Sequence, residues 1–270
     1  MIPAPFEYEL AESVEHAVEL LGRGDAKVIA GGHSLIPALR LRIARPDLLV
    51  DVGRLSELRF VREDDGTIAI GALTRHADLV QDPSVRTSCG VLAHAAGLIG
   101  DPQVRHRGTI GGSVAHGDPA SDLPAVLTAL EAEVVVHGPE GERRIGCGSF
   151  FRHVFETALG PRDVVTEIRV PKVEAGVYLK FTRRAQDWAT VGVAAVRRNG
   201  ATNVALTHMG ATPLRARAVE AALRDGADPA AAAAHAAEGT EAPSDTNASA
   251  EFREHMARVL TRRALEQLRI

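Results

Sequence analysis

Two glycine-rich turns, Ala30-Gly31-Gly32-His33-Ser34 and Thr109-Ile110-Gly111-Gly112-Ser113, constrain this chain more than any other feature. Each follows or adjoins a run of β-forming residues. A single Gly-Gly pair marks no more than a tight bend, because glycine supplies backbone conformations that other residues avoid. Two such turns, both rich in backbone N–H groups and hydroxyls, suit two anion cradles closing on one diphosphate. Successive unpaired N–H groups form a concave nest for anions, and the missing Cβ lets a ligand approach the backbone closely. The chain therefore reads as a nucleotide-cofactor protein.

Composition narrows the class. At 270 residues the chain can bury a sizeable core and build more than one domain. Its 45% hydrophobic and 24% charged residues match a globular protein, which excludes wholesale disorder. A formal net charge of −4 and only 4% aromatic residues argue against nucleic-acid binding, which favours a basic excess and stacking platforms. Cys89 and Cys147 are far apart and form no C-x-x-C, so neither a metal site nor a redox pair is expected, and a reduced cytoplasmic setting is. The acidic N-terminus has no apolar signal core, and no apolar run is long enough to span a membrane.

Periodicity divides the chain into three regions. In residues 1–55, Phe6–Leu10 reads as a strand and Ser13 caps a helix reaching Gly22, with Val14, Ala17, Val18 and Leu21 at helical spacing. The strand Lys27–Ala30, the first glycine turn, a helix over Ser34–Arg42 and the strand Leu48–Val52 complete a β-α-β unit. Its turn lies at a strand-to-helix crossing, where helix N-termini favour phosphate. In residues 56–173, Thr67–Ala72 is a strand, Thr74 caps a short helix and Val85–Leu98 forms a longer one. A loop over Gly100–Ser113 leads into the second turn, followed by a helix at Asp122–Leu130, a hairpin of Glu133–His137 with Arg143–Ile145, and the strand Val164–Val170. In residues 176–270 three β-runs, Val177–Arg183, Gly192–Arg198 and Asn203–Met209, precede helices at Leu214–Leu223, 229–237 and Phe252–Leu268. Arg198-Asn199-Gly200 is the strongest hairpin signal in the chain. The polar stretch Glu238–Asn247 reads as a mobile connection.

Neither turn is a common nucleotide fingerprint. The first lacks the third glycine of G-x-G-x-x-G, and no G-x-x-x-x-G-K-[ST] occurs. The residues instead resemble the FAD-binding medium subunits of molybdenum hydroxylases. The resemblance rests on Ala30-Gly31-Gly32-His33-Ser34-Leu35-Ile36-Pro37, on Thr109-Ile110-Gly111-Gly112-Ser113 and on Ala115-His116-Gly117-Asp118-Pro119-Ala120-Ser121-Asp122-Leu123-Pro124. The later run Lys180-Phe181-Thr182-Arg183-Arg184-Ala185-Gln186-Asp187-Trp188-Ala189-Thr190 is similar to the carbon monoxide dehydrogenase branch. It covers nearly the whole chain in the family's order.

That resemblance implies an α+β fold: a two-part FAD-binding domain of the vanillyl-alcohol-oxidase type, then a small C-terminal α+β domain with a three-stranded antiparallel sheet and helices. Val28, Ile29, Ala30, Gly31, Gly32, His33, Ser34 and Leu35 would run along the FAD pyrophosphate. Thr109, Ile110, Gly111, Gly112 and Ser113 would supply a second set of donors. Asp122 would accept from a hydroxyl of the adenosine part, Ile99 and Val165 would give apolar walls, and Lys180 a positive charge. Plainer roles stand beside these: Asp122 as a helix cap, Lys180 as a solvated strand residue, Trp188 as packing, and Arg105-His106-Arg107 as a solvated loop. His33 occupies a position that carries covalent flavin in some oxidases of this broad fold, but the family implies FAD held non-covalently.

No Ser-His-Asp order, carboxylate pair or nucleophilic cysteine stands out, as expected where the cofactor carries the chemistry. The implied role is electron transfer on FAD, from a small [2Fe–2S] subunit to an external acceptor such as a quinone, NAD or oxygen. A large molybdenum-cofactor subunit would oxidise the substrate, and the assembly would be a dimer of heterotrimers. Two other readings remain open. One is a self-contained FAD-dependent oxidase or reductase, although the reductase pattern needs proline where Gly108 stands. The other is a binding module that has lost FAD.

Overall fold

A computed structural model describes residues 2–269. The first unit contains β1 (Glu7–Leu10), α1 (Val14–Leu20), β2 (Ala26–Ile29), α2 (Leu35–Arg40) and β3 (Leu48–Asp51). Its three strands run parallel in the order β1-β3-β2, with β3 paired to both neighbours. Ser13 caps α1 by accepting from the His16 N–H at 3.1 Å. Ala17, Val18 and Leu20 of α1 are buried in one cluster with Leu48, Val50 and Val52. The first glycine turn lies where β2 hands over to α2.

The second unit is larger. It contains β4 (Val61–Asp64), β5 (Thr67–Gly71), α3 (His76–Gln81), α4 (Pro83–Ser88), α5 (Gly90–Gly97), α6 (Pro102–Arg105), α7 (Ile110–His116) and α8 (Asp122–Ala129). These are followed by β6 (Glu133–Gly138), β7 (Gly141–Gly146), α9 (Cys147–Phe150), β8 (Phe151–His153), β9 (Glu156–Thr157) and β10 (Val164–Pro171). An antiparallel sheet in the order β4-β5-β10-β6-β7 is its floor. Ile68, Ile70, Val134, Val136, Ile168 and Val170 from that sheet share a core with Leu92 of α5 and Leu123 and Leu127 of α8.

The third unit contains β11 (Ala175–Phe181), β12 (Val191–Arg198), β13 (Ala201–Thr207), β14 (Leu214–Arg215), α10 (Arg217–Arg224), α11 (Pro229–Ala234) and α12 (Ala250–Gln267). Its sheet follows chain order. Asn199 and Gly200 turn between β12 and β13 at φ 52° and 73°, the left-handed pair that a two-residue hairpin requires. This sheet is covered on both sides. Val193, Ala195 and Leu206 pack with Leu260, Ala264 and Leu265 of α12. Tyr178, Ala194, Val196 and Ala205 face the core of the second unit, where α5 and α8 lie. Burial on both faces is why Val191–Val196 reads as an unbroken apolar run rather than an alternating one.

Several elements depart from the sequence reading. The helix expected over Val85–Leu98 is broken at Cys89 (φ −151°, ψ 53°), and Asp82 caps its first half through the Val85 N–H at 3.0 Å. Thr74 caps nothing; its hydroxyl donates to Phe60 O at 2.9 Å, and Asp78 closes the start of α3 by accepting from the Arg75 N–H. The loop expected at Gly100–Ser113 contains α6 and the first turn of α7. The third unit has four strands, because Leu214–Arg215 pairs with Ala205–Leu206 and delays the helix to Arg217. The stretch Glu238–Asn247 is pinned: Glu241 N–H bonds Met209 O at 3.0 Å, Arg183 donates to Thr246 O at 2.7 Å, and the buried Arg253 reaches Asp245 at 2.7 Å. Among the described residues, no helix is long and apolar enough to cross a membrane, and no cluster of metal-ligating side chains occurs.

Candidate cofactor-binding site

The first turn has the properties of an anion nest. Gly31, Gly32 and Ser34 are half-buried and His33 is exposed. Among the described residues, none of the N–H groups from Gly31 to Ser34 is used in a backbone bond or a side-chain cap, whereas the Gly32 carbonyl accepts from Ile36 at 2.9 Å and starts α2. Gly32 sits at φ +78°, which aligns these amides and disfavours any side chain. Gly31 is required by contact: a Cβ there would lie 2.2 Å from Arg107 O and 2.9 Å from Gly108 Cα. The segment before the second turn is thus the back wall of the first. Val28, Ile29 and Ala30 lead into the nest and Leu35 leaves it, all four half-buried.

The second turn is built differently. Thr109–Ser113 is the capped start of α7, and the amides of Ile110 to Ser113 are already paired. Ile110 N–H donates to Thr74 O at 3.0 Å, Gly111 N–H to Ala72 O at 2.9 Å, Gly112 N–H to Thr109 Oγ1 at 3.1 Å and Ser113 N–H to Thr109 O at 3.0 Å. Four of the five amides expected as a second row of donors are thus engaged within the fold. What this turn leaves toward a ligand is the half-buried Ser113 hydroxyl and the exposed Gly112 backbone. Gly111 earns its place by packing, since a Cβ would fall 2.6 Å from that of Ala72.

Asp122 and Lys180 are brought together, and Tyr178 joins them. Asp122 opens α8 at 4% exposure, accepts from Tyr178 OH at 2.6 Å and pairs with Lys180 Nζ at 2.9 Å. Lys180 also donates to Leu98 O at 3.2 Å, beside Ile99. Burial pulls the Asp122 carboxyl above its ordinary range against the opposing pull of Lys180, and pushes the Tyr178 phenol well up. Tyr178 went unnoticed in the sequence. Its signal was its place two residues before Lys180 on the same face of β11. Val165 is buried at the β10 bulge in the core, while Ile99 is half-buried at its margin.

His76 is a second residue the sequence reading missed. It is 4% exposed, its Nδ1 has no hydrogen-bond partner, and burial pushes its pKa down to about 4, with His33 and Arg105 acting the same way. Burial also lowers His116 and His208. The unfolded chain, with histidines near their ordinary value of about 6.5, binds more protons between there and about pH 4. Stability is therefore expected to fall as pH drops through that window, by about 3 kcal/mol from His76 alone. Urea midpoints at pH 7 and pH 4.5 test this. His76→Gln should flatten the slope, and parallel profiles would show that His76 is not the titrating group.

Residues 4–173 match the family described as FAD binding domain in molybdopterin dehydrogenase, and residues 176–268 match the CO dehydrogenase flavoprotein C-terminal domain. The chain belongs to the FAD-binding medium subunits of molybdenum hydroxylase-type complexes. It is 43% identical over 279 residues to the carbon monoxide dehydrogenase medium chain of Hydrogenophaga pseudoflava, covering 98% of this chain and 97% of that one. It is 36% identical to the glyceraldehyde dehydrogenase medium chain of Sulfolobus acidocaldarius, over 99% of this chain and all of that one. The Hydrogenophaga pseudoflava carbon monoxide dehydrogenase structure superposes with a TM-score of 0.95 at 45% identity, covering 98% of both chains. This medium subunit is an FAD-dependent oxidoreductase component. The chemistry of the nest suits that cofactor: its amides have no acceptor among the described residues, and its glycines place no Cβ over them.

Proposed function

We propose that this medium subunit holds FAD non-covalently and passes electrons from a small [2Fe–2S] subunit to an external acceptor. Substrate oxidation then takes place on a separate large molybdenum subunit, in a cytoplasmic dimer of heterotrimers. The single observation that carries the reading is the row of unpaired amides at Gly31–Ser34, backed by the Arg107–Gly108 main chain. Bound FAD supplies the redox chemistry, joining one-electron donors to a two-electron acceptor.

The chain's own residues bind and orient. Gly31, Gly32, His33 and Ser34 give backbone donors to the pyrophosphate, and α2 continues from them. The Ser113 hydroxyl adds a side-chain donor from across the cleft. Ile110 to Gly112 act by shaping that wall rather than by donating, and the Thr109 hydroxyl holds the turn together. Ile99, Val165, Val28 and Ile29 supply apolar surface. Asp122 and Lys180 fix the junction of the second and third regions behind the site, at a division of 1–55, 56–173 and 176–270. Each Asp122 oxygen already accepts one bond and retains capacity for a ligand hydroxyl. His33 is exposed and contributes through its N–H, with no bond from its ring to the flavin.

Purification of the full chain from its native cells, followed by acid precipitation, tests the reading. Flavin absorbance released into the acid supernatant, with iron–sulfur and molybdenum subunits co-purifying, is the expected result. Acid-resistant flavin would assign a covalent bond at His33 and a self-contained oxidase. A colourless chain that cannot take up added FAD would remove the flavin role. A yellow chain that purifies alone would keep that role and remove the complex.

A further inference from the structure

His76 lies outside the nest yet touches the wall that shapes it. Its backbone N–H donates to Gly108 O at 3.0 Å. The Cδ2–Nε2 edge of its ring lies against Gly108 so closely that a Cβ on residue 108 would meet those atoms at 2.8 and 2.9 Å. The same Arg107–Gly108 main chain also packs against Gly31, filling the space a Cβ there would need, 2.2 Å from Arg107 O and 2.9 Å from Gly108 Cα. Three layers result: the Gly31 nest, the glycyl segment and the His76 ring. Among the described residues the ring Nδ1 is buried without a hydrogen-bond partner. Structures rarely keep such a group without a reason. Its contact with Gly108 gives it such a reason.

We propose that His76 is a positioning residue for FAD, a clamp that sets the distance between the Gly31–Ser34 amides and the wall leading to the second glycine turn. The proposal rests on the FAD reading above. Close packing transmits a displacement of Gly108 to Gly31, because there is no slack on either side of it. The ring also has to remain uncharged to serve, since Arg105 and His33 lie near enough to repel a cation there.

Gly108→Ala, His76→Ala and the double variant test the clamp in the full-length chain. FAD titration by quenching of flavin fluorescence measures affinity, and urea unfolding of the FAD-free chain measures stability. Gly108→Ala drives a methyl into the ring and should weaken FAD about thirtyfold, and His76→Ala, which removes the support, about tenfold. In the double variant the methyl occupies the space the ring left, the other near atom being Val104 O at 3.2 Å. Adding His76→Ala to Gly108→Ala should therefore strengthen FAD binding, to within about threefold of His76→Ala alone. A merely structural role moves unfolding midpoints and leaves FAD affinity unchanged. Multiplicative losses in the double variant would overturn the clamp. If the unsubstituted chain binds no FAD, the flavin reading fails, and the clamp fails too if the two substitutions are additive in unfolding.

Discussion

Gly31→Ala is expected to give a folded chain that no longer retains FAD. The added methyl would stand 2.2 Å from Arg107 O and 2.8 Å from its carbonyl carbon, and neither belongs to a flexible side chain that can swing away. Relief requires the turn to lift from the Arg107–Gly108 wall, which takes its amides out of line with a bound diphosphate. Overpacking of this kind costs about 1–3 kcal/mol of stability, which a chain of this size survives. The effect on the cofactor is larger, because hydrogen bonds to a charged group contribute about 1.5–3 kcal/mol each. Losing two would weaken FAD from roughly a hundredfold to roughly ten-thousandfold. Gly148→Ala, where a Cβ meets nothing within 4 Å, is the control and should purify yellow. Equal flavin content in both variants would show that the diphosphate does not lie on the Gly31 turn.

Local rules carried the sequence reading where neighbours in the chain decide structure. Ser13 announced α1, Asn199-Gly200 announced its hairpin, and the β-run before Gly31 placed the nest at a strand-to-helix crossing. Failures came where distant residues decide. Thr74 looked like a cap, but its hydroxyl is taken by the Phe60 carbonyl just ahead of β4. Leu214–Arg215 looked helical, but an open edge of β13 captured it as a strand. The two glycine turns looked equivalent and are not, because whether an amide is free depends on which carbonyls approach it. The Ala72 and Thr74 carbonyls accept from the second turn, whereas among the described residues no carbonyl accepts from the amides of the first. His76 was illegible for the same reason, since its partner Gly108 is far along the chain. Both wall residues were in view as part of a loop, without any sign that the loop is the back of the nest.

Asp122→Ala should cause the greatest loss of stability among the site substitutions, and the pH dependence of Lys180→Met identifies the cause. The Lys180 side chain is 7% exposed, so removing the carboxylate leaves a buried ammonium whose remaining partner among the described residues is Leu98 O. Breaking a buried pair from one side costs about 3–5 kcal/mol. For a chain of this length that lowers the melting temperature by roughly 6–20 °C. Asp122→Ala combined with Lys180→Met removes the stranded charge and should melt above Asp122→Ala alone. Lys180→Met by itself behaves differently. Asp122 then keeps Tyr178 but loses the cation that opposed burial, so its carboxyl rises further. A carboxyl whose folded value exceeds its unfolded one binds the proton more tightly in the native state, so stability falls as pH rises. Lys180→Met should thus be more stable, relative to the unsubstituted chain, at pH 5 than at pH 8. Melting curves at the two pH values decide it. Lys180→Met tracking the unsubstituted chain at both would mean that the pair is solvated and does not lock the third region to the second. Loss of stability at low pH instead would place the buried charge on another group.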